Sequence, residues 1–252
     1  MKINTIENNQ LIFLGTAGGR FTVFNQIRKS GGLWFIMEHQ LFVIDPGPGA
    51  LVEAIKHKIK PSDLSCIFIS HRHLDHTSDV NALIESMTQG GHIKRGTVLA
   101  PADATEEDPV ILRYNRKNFT LINTKENTTY KVNGVVIQTK KRHIHTVETY
   151  GAIFNNRFSY IADTSYFDEL PRMYNTPIVI ANVVFGKRKA GFKHMCAEDV
   201  YLFLEVHKPE LFVITHFGLS FLREKPWEVA KTIASRTSCN VVAAYDGMVI
   251  DI

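Results

Sequence analysis

The segment from residue 71 to residue 76, His-Arg-His-Leu-Asp-His, is the feature that most constrains this chain. Three imidazoles and one carboxylate lie within six residues, although the whole chain has only 11 histidines among 252 residues. Imidazole and carboxylate are ligands that divalent metal ions bind in proteins. Burying these groups without partners would cost free energy. The cluster therefore indicates a metal site rather than a histidine-rich surface turn.

The spacing within this segment suits two ions. Alternate side chains of an extended chain share a face, so His71 and His73 can reach one ion. If the chain then turns, Asp75 and His76 can reach a second ion, and two-metal sites hold their ions roughly 3.5–4 Å apart. An apolar strand pattern precedes the segment and a helical pattern begins near Asp79. We predict that the segment anchors a two-metal site at the end of a strand.

The rest of the chain alternates strand and helix patterns. Helical patterns cover residues 50–58, 79–87, 198–207 and 227–235. Short runs rich in Val, Ile and Phe predict buried strands at 11–14, 33–37, 41–44, 66–69, 98–99, 135–137, 152–154, 158–161, 178–184, 211–214 and 241–244. No Gly/Ser/Pro-rich linker divides the sequence. We predict a single α/β domain over residues 1–252.

Several apolar runs end in a residue that could bind a metal: Asp45, His71, Asp163 and His216. A buried strand delivers the residue that follows it to the edge of its sheet, where ligands bind in α/β folds. The strand-end sequences Ile-Ser-His in the first half and Ile-Thr-His in the second are similar to each other. This pattern hints at internal pseudo-symmetry.

Composition limits the classes of substrate and the cellular compartment that we expect for this protein. The net charge of +4 permits an anionic substrate, but the short basic runs at 140–142 and 187–189 do not predict a nucleic-acid wrap. Three scattered cysteines without a CxxC pattern fit a reducing compartment. Residues 1–5 show no signal-peptide pattern and no apolar run is long enough to span a membrane. We expect a cytoplasmic protein with no membrane association.

A strand ending in His-x-His-x-Asp-His resembles the metallo-β-lactamase superfamily, and the resemblance covers most of the chain. The further matching segments are Phe13-Leu14-Gly15-Thr16, Phe42-Val43-Ile44-Asp45-Pro46-Gly47, His145 upstream of Tyr150-Gly151, Ile161-Ala162-Asp163-Thr164 and Ile214-Thr215-His216-Phe217-Gly218. The resemblance implies an αββα four-layer sandwich, in which helices flank two mixed sheets. It places the metals in a cleft at one edge of the sheets.

The resemblance also implies a ligand set for two divalent ions. Zinc is the default for a His-rich site, with manganese and iron as alternatives. Metal one would be held by His71, His73 and a later histidine, metal two by Asp75, His76 and His216, with Asp163 and a hydroxide bridging both. His143 and His145 would share a face of an extended chain, so either could be the later histidine. The family spacing of six residues before a Gly, here Gly151, favours His145.

Other residues would support the chemistry. Asp75 and His194 are the predicted catalytic residues, with His194 donating a proton to the leaving oxygen. A surface histidine before a helix is the other interpretation of His194. Asp45 would accept the outer N–H of a ligating histidine, and Asp246 would either do the same or form a turn. Lys193 and Arg20 are the predicted substrate-binding residues, and Lys187 and Arg188 would also help to hold a phosphate.

Such a site predicts hydrolysis, and the family features resemble the ribonuclease Z and cyclic phosphodiesterase branch. His73 stands where flavodiiron relatives carry a Glu, which argues against an oxidoreductase. Two departures argue against tRNA processing. Residues 155–157 form a tight hairpin where ribonuclease Z inserts a tRNA-gripping arm, and Asn182 replaces a Glu of ribonuclease Z. We therefore favour a phosphodiesterase that attacks a small phosphodiester or short nucleic acid with a metal-bridging hydroxide.

Alternatives stay open at this point. A lactonase or thioesterase would need an apolar cleft, which Phe192, Phe217 and Phe221 could line unless they are core residues. A ribonuclease Z-like tRNA 3′-processing endonuclease is the second alternative, and a non-catalytic metal- or RNA-binding module is the third. The sequence is least informative between residues 87 and 129, where residues 100–118 fit no clear element. They could cover the cleft or form a homodimer contact.

Overall fold

Two β-sheets pack face to face between helices in a computed structural model that describes residues 6–107 and 109–252. Residues 1–5, on which part of the signal-peptide prediction rests, lie outside the described residues. The strands are β1 (Gln10–Gly15), β2 (Ser30–Met37), β3 (Gln40–Ile44), β4 (Leu64–Phe68), β5 (Thr97–Ala100), β6 (Thr120–Asn123), β7 (Thr129–Val132), β8 (Val135–Thr139), β9 (Ala152–Phe154), β10 (Phe158–Ile161), β11 (Ile178–Phe185), β12 (Met195–Cys196), β13 (Leu211–Thr215), β14 (Val241–Ala243) and β15 (Val249–Asp251).

Nine α-helices lie among these strands in the described ranges. They are α1 (Arg20–Phe24), α2 (Ala50–Lys56), α3 (Leu74–Thr77), α4 (Val80–Met87), α5 (Ala102–Thr105), α6 (Leu170–Met173), α7 (Ala197–Val206), α8 (Leu219–Arg223) and α9 (Pro226–Thr237). Short 3₁₀ helices cover Pro61–Asp63 and Arg113–Asn118. Among the described residues, no helix has the length and apolar character that crossing a membrane requires.

The two sheets share one plan. The first has the order β15-β1-β2-β3-β4-β5-β6, and the second has the order β14-β13-β11-β10-β9-β8-β7, with β12 beside β11. Strands β3 to β6 are parallel in the first sheet, and strands β10, β11, β13 and β14 are parallel in the second. Most of the other pairs are antiparallel. Both sheets are therefore mixed, which confirms the predicted α/β class.

Side-chain alternation explains why the sheets stack in four layers. On β1, Leu11 and Phe13 point into the core between the sheets, while Ile12 and Leu14 join the core beneath the first layer of helices. On β11, Ile180 faces the other sheet, while its neighbours pack under α7 and α9. Successive residues of a strand point to opposite faces, so strands buried on both faces read as continuous apolar runs. This burial produces the predicted αββα sandwich.

The predicted helices form within a few residues of their expected bounds. Helix α9 begins at Pro226, whose ring presets the backbone for the first turn. Helix α7 begins with a capping box, in which Asp199 Oδ2 accepts a hydrogen bond from the Cys196 backbone N–H at 2.9 Å. The stretch from 87 to 129, for which the sequence predicted only the strand at 98–99, contains β5, α5 and β6.

Two strand ends that deliver candidate ligands share an unusual backbone conformation. Asp45 follows β3 with φ 51°, and His216 follows β13 with φ 63°. Residues other than glycine seldom occupy this left-handed region, and doing so costs about 1–3 kcal/mol. The two residues occupy equivalent places in the two halves, each directly after a parallel strand. The strained turns bring both side chains to the same edge of the sandwich.

Candidate metal centre

All seven residues predicted to bind metal meet at this edge. One group, with ligand atoms within 4.8 Å of one another, consists of His71, His73 and His145. A second such group consists of Asp75, His76 and His216. These are the two triads that the family resemblance implies for two ions. Loops from both sheets build them, so the site forms only when the sandwich assembles.

Asp163 lies between the two triads. Its Oδ2 atom is 4.0 Å from His71 Nε2 and 4.0 Å from His145 Nε2, both in the first triad. The same oxygen is 3.8 Å from His76 Nε2, and Oδ1 is 3.4 Å from His216 Nε2, both in the second triad. Separations of this size leave room for a cation between each pair of donor atoms. The carboxylate is placed where a bridging ligand would stand.

Hydrogen bonds at the outer ring nitrogens orient three of the imidazoles. His76 Nδ1 is 2.9 Å from Asp45 Oδ2, and His145 Nδ1 donates to the Lys193 carbonyl oxygen at 3.0 Å. His71 Nδ1 is 2.9 Å from Ser70 Oγ. Each contact leaves Nε2 facing the centre of the site. Fixing one ring nitrogen in this way selects the tautomer whose other nitrogen can bind a metal.

The residues present fit a pair of divalent ions. The Nε2 atoms of His76 and His216 are buried and lack a hydrogen-bond partner among the described residues. Buried polar atoms are nearly always satisfied, and an ion is one of the partners that can satisfy them. Imidazole nitrogen and carboxylate oxygen are the donors that zinc, iron and manganese accept. A ligand-like arrangement of this kind is what a two-metal hydrolase requires.

Burial keeps most of the imidazoles in the form that binds metal. It lowers the pKa of His71 well below its ordinary value, with the neighbouring His76 adding to the effect. It also lowers the pKa of His73 to about 4, together with the charge of His145. Burial lowers the pKa of His216 as well, although Asp163 opposes the shift. A histidine must be neutral to bind a metal, so these rings are ready at neutral pH.

Two residues have pKa values that carboxylate–imidazole pairing controls. Burial alone would lower the pKa of His76, but the carboxylates of Asp75 and Asp45 outweigh it and raise the pKa to about 10. Burial would raise the pKa of Asp163, but the surrounding imidazoles, led by His216, hold it well below its usual range. Asp163 is therefore ionised at neutral pH, as a bridging ligand must be.

Asp45, predicted to support a ligand, accepts four hydrogen bonds at the floor of the site. The donors are the Ser70 backbone N–H at 2.7 Å, Ser70 Oγ at 2.6 Å, Tyr160 OH at 2.8 Å and His76 Nδ1 at 2.9 Å. The carboxylate is only 5% exposed. It thus joins the loop before His71 to the ring of His76.

Replacing Asp45 with asparagine is expected to weaken metal binding about 10–100-fold, the usual effect of removing a partner of a ligating histidine. An amide offers one acceptor oxygen in place of two, so the contacts of His76 and Ser70 cannot all survive. Titration of the metal-free protein with cobalt measures the change. The control is Asp246→Asn, since Asp246 accepts three hydrogen bonds from Thr16 and Lys29 instead. Equal affinities in the two variants would remove Asp45 from the proposed site.

Of the other candidate residues, His194 lies at the metal site, whereas His143 and Asp246 have partners outside it. His143 belongs to neither triad, and its Nε2 is 2.8 Å from Tyr174 OH. Asp246 contacts Thr16 and Lys29 rather than a ligating histidine. His194 lies at the site, with Nδ1 3.4 Å from Asp163 Oδ2.

The predicted substrate-binding residues lie on exposed segments beside the site. Lys193 is exposed, and its carbonyl oxygen accepts the hydrogen bond from His145. Arg20 is exposed and begins α1. It comes two residues after Gly18, where a Cβ atom would collide with the His216 carbonyl. Arg188 pairs with the buried Asp199 side chain at the start of α7, so its predicted role in holding phosphate is not favoured.

The sequence assigned no role at the metal site to three polar residues that lie there, although it singled out Asn182 as a departure from ribonuclease Z. Ser70 and Tyr160 both donate to Asp45, and Asn182 donates to Asp163 Oδ1 at 2.8 Å. Tyr160 and Asn182 are 3% and 2% exposed. The available signal was polarity within otherwise apolar strand runs, because a buried polar side chain requires a partner.

The apolar residues considered for the cleft have different positions. Phe217 and Phe221 are buried in the core beneath the second layer of helices, where their rings lie 5.7 Å apart. Phe192 is 59% exposed and packs on Phe185 with ring centroids 5.4 Å apart. Of the three, only Phe192 can meet a substrate.

Comparison with known proteins agrees with this fold. A family model described as a beta-lactamase superfamily domain matches residues 40–217. An uncharacterized protein of Methanocaldococcus jannaschii is 27% identical over 256 residues, which cover 96% of this chain and 95% of that protein. Ribonuclease Z of Trichodesmium erythraeum is 32% identical over 107 residues. That match covers 42% of this chain but only 33% of the ribonuclease Z.

Solved structures share the fold at low sequence identity. The metallo-beta-lactamase fold protein YhfI from Bacillus subtilis superposes with a TM-score of 0.80 at 20% identity, covering 96% of this chain and 98% of that one. A diphosphatase from the PhnP family superposes with a TM-score of 0.71 at 19% identity, covering 96% and 97% of the two chains. These likenesses establish the fold.

Proposed function

This chain belongs to the beta-lactamase superfamily, and on that premise we propose that it is a two-metal phosphodiesterase acting on a small phosphodiester or a short nucleic acid. The observation that carries the proposal is the placement of two ligand triads around Asp163, with His194 3.4 Å from the same carboxylate. When bound, two divalent ions lower the pKa of a water nucleophile and stabilise the charge that develops on the target.

The protein residues have separate tasks in this proposal. The imidazoles of the first triad and those of the second would each hold one ion, with Asp163 shared between them. Asp75 belongs to the second triad, where its Oδ2 is 3.7 Å from both His76 Nε2 and His216 Nε2. His194 would donate a proton to the leaving oxygen as the phosphorus–oxygen bond breaks.

Three observations favour a small phosphodiester. Relatives and structural neighbours include a ribonuclease Z and a diphosphatase, both of which cleave phosphate linkages. Strands β9 and β10 pair antiparallel through the tight hairpin predicted at residues 155–157. A hairpin of that length leaves no room for a tRNA-gripping arm. Lys193, exposed next to His194, supplies a cation for the phosphate.

A lactonase or thioesterase is the second candidate, because apolar side chains accompany several ligands. Leu74, between His73 and Asp75, is 64% exposed, and Ile144, next to His145, is 46% exposed. Phe192, two residues before His194, is 59% exposed. Exposed apolar groups around a polar centre suit a substrate with an acyl chain.

A substrate panel on the metal-loaded protein separates the candidates. We expect turnover of bis-p-nitrophenyl phosphate, with loss of activity in the presence of a chelator and recovery when zinc or manganese is restored. The panel also includes homoserine lactones, a thioester, pyrophosphate and a precursor tRNA, with Asp163→Asn protein as the background control. Lactone or thioester turnover without phosphodiester turnover would overturn the phosphodiesterase proposal. Cleavage of precursor tRNA at its 3′ end would instead support the endonuclease alternative.

A further inference from the structure

Tyr160 and Asn182 lie behind the bridging carboxylate, on neighbouring strands of the second sheet. Strands β10 and β11 pair in parallel, with Tyr160 opposite Ile180 and Ile161 opposite Ala181. Both polar side chains are almost fully buried. Two polar residues within buried apolar strands must obtain hydrogen bonds there, or they would destabilise the fold.

Their hydrogen bonds form a continuous chain. Asn182 Nδ2 donates to Asp163 Oδ1 at 2.8 Å and to Tyr160 OH at 3.2 Å, which uses both of its amide hydrogens. Tyr160 OH then donates its own hydrogen to Asp45 Oδ2 at 2.8 Å. Asp45 also contacts His76 Nδ1 at 2.9 Å. The chain therefore begins at one candidate ligand, Asp163, and ends at another, His76.

We propose that Asn182 and Tyr160 are positioning residues, which hold the Asp163 carboxylate in its bridging orientation by connecting it to Asp45. This inference rests on the proposed two-metal site. The bond from Asn182 fixes one oxygen of Asp163, and that restraint sets the rotation of the carboxylate about its own axis. The second oxygen, Oδ2, then faces His71 and His145 of the first triad.

The link also joins the two sheets at the metal edge. Asp45 follows β3 of the first sheet, whereas Tyr160, Asn182 and Asp163 belong to the second. The first sheet supplies His71 and His76 through the loop after β4, and the second supplies His145 and His216. A hydrogen-bonded connection across this edge fixes the spacing between the halves of the site.

An amide suits position 182 for a chemical reason. Only a donor can hold an ionised carboxylate by a hydrogen bond, and an uncharged amide adds no negative charge beside it. A carboxylate at this position would put two like charges about 3 Å apart, and one of them would have to take up a proton. Asn182, which stands where the resemblance to ribonuclease Z implies a Glu, thus bonds to Asp163 as a neutral donor.

The test compares three variants in metal binding as well as in activity. Asn182→Asp keeps the size of the side chain but replaces the neutral amide donor with an acidic group that competes with Asp163 for a proton, and Tyr160→Phe removes one hydroxyl only. Ser159→Ala is the matched control, because Ser159 is equally buried on β10 but bonds to Thr176 at 2.7 Å, away from the ligands. Each metal-free protein is titrated with cobalt, whose absorption spectrum reports ligand geometry and stoichiometry.

We expect Asn182→Asp to weaken binding of the second ion at least about 10-fold and to change the cobalt spectrum. Tyr160→Phe should change the metal affinity and the cobalt spectrum in the same direction by a smaller factor. This second variant keeps the test decisive if Asn182→Asp does not fold. In activity assays, kcat should fall while KM changes little. Ser159→Ala should bind two ions as the unaltered protein does.

Cobalt affinities and spectra in Asn182→Asp and Tyr160→Phe that match Ser159→Ala would overturn the positioning role. The readout does not depend on the substrate. If the unaltered protein binds two ions but hydrolyses no phosphodiester, the proposed substrate fails while the metal-binding comparison stays valid. If it binds fewer than two ions, the proposed two-metal function itself fails.

Discussion

Protein with asparagine in place of Asp163 is expected to bind fewer than two metal ions and to lose at least about 10³-fold in kcat/KM. A metal ion contributes several kcal/mol of transition-state stabilisation, and each 1.36 kcal/mol corresponds to a factor of ten in rate. Asp163 lies between the two triads, with its Oδ2 4.0 Å from His71 Nε2 and its Oδ1 3.4 Å from His216 Nε2.

The same substitution should change the pH dependence of stability in the metal-free protein. The surrounding imidazoles hold the pKa of Asp163 well below its usual range, so the ionised carboxylate stabilises the fold at neutral pH. That contribution is lost as the pH falls below the ordinary value of 3.8 towards the lower folded value. Asp163→Asn should therefore be less stable than the unaltered protein at neutral pH, and the difference should narrow in acid.

Elemental analysis measures the expected loss of metal, and hydrolysis of bis-p-nitrophenyl phosphate measures the expected loss of activity. Urea unfolding at several pH values measures the expected change in stability. Asp79→Asn provides the control. Asp79 Oδ2 accepts a hydrogen bond from the Leu51 backbone N–H at 3.0 Å, so the same chemical change falls outside the triads. Two bound ions and undiminished turnover in Asp163→Asn would contradict a bridging role.

The strand-end pattern explains how much of the site could be predicted from the sequence. Asp45, His71, Asp163 and His216 follow apolar runs that form β3, β4, β10 and β13. Parallel strands carry their C-terminal ends to one edge, so the sequence pattern alone brings these residues together. The choice of His145 over His143 rested on family spacing, and the structure places His145 in the first triad and His143 against Tyr174.

Partners that depend on tertiary packing could not be predicted in the same way. Tyr160 belongs to an apolar run, and nothing in its sequence neighbourhood shows that Asp45 lies 2.8 Å from its hydroxyl. Strands β6 and β7 are short and half exposed, with little apolar alternation, so the sequence predicted neither of them. Their pairing with β5 and β8 determines their conformation, because strand preference depends on context. That residues 1–252 form one cytoplasmic domain stays a prediction.

His194→Ala is expected to keep both metal ions and to lose about 10²–10⁴-fold in kcat on substrates with a poor leaving group, the usual contribution of a general acid. His194 Nδ1 lies 3.4 Å from Asp163 Oδ2, near enough for that carboxylate to orient the ring. The ring also packs against His145, with centroids 5.0 Å apart. An alkoxide leaving group needs a proton, whereas p-nitrophenolate leaves readily without one. The loss should therefore be large for an alkyl phosphodiester and small for bis-p-nitrophenyl phosphate.

This dependence on leaving group separates proton donation from the other role that the geometry allows. His194, His145 and Asp163 also have ligand atoms within 4.8 Å of one another, so His194 could instead bind an ion. A ligand role predicts lower metal content and equal losses on both substrates. His207→Ala is the control, because His207 is also a half-buried histidine. Its Nε2 bonds to the Thr176 carbonyl oxygen rather than to a candidate ligand. Since donation acts on the bond to the leaving oxygen, only the substrate whose leaving group needs the proton should respond to the loss of His194.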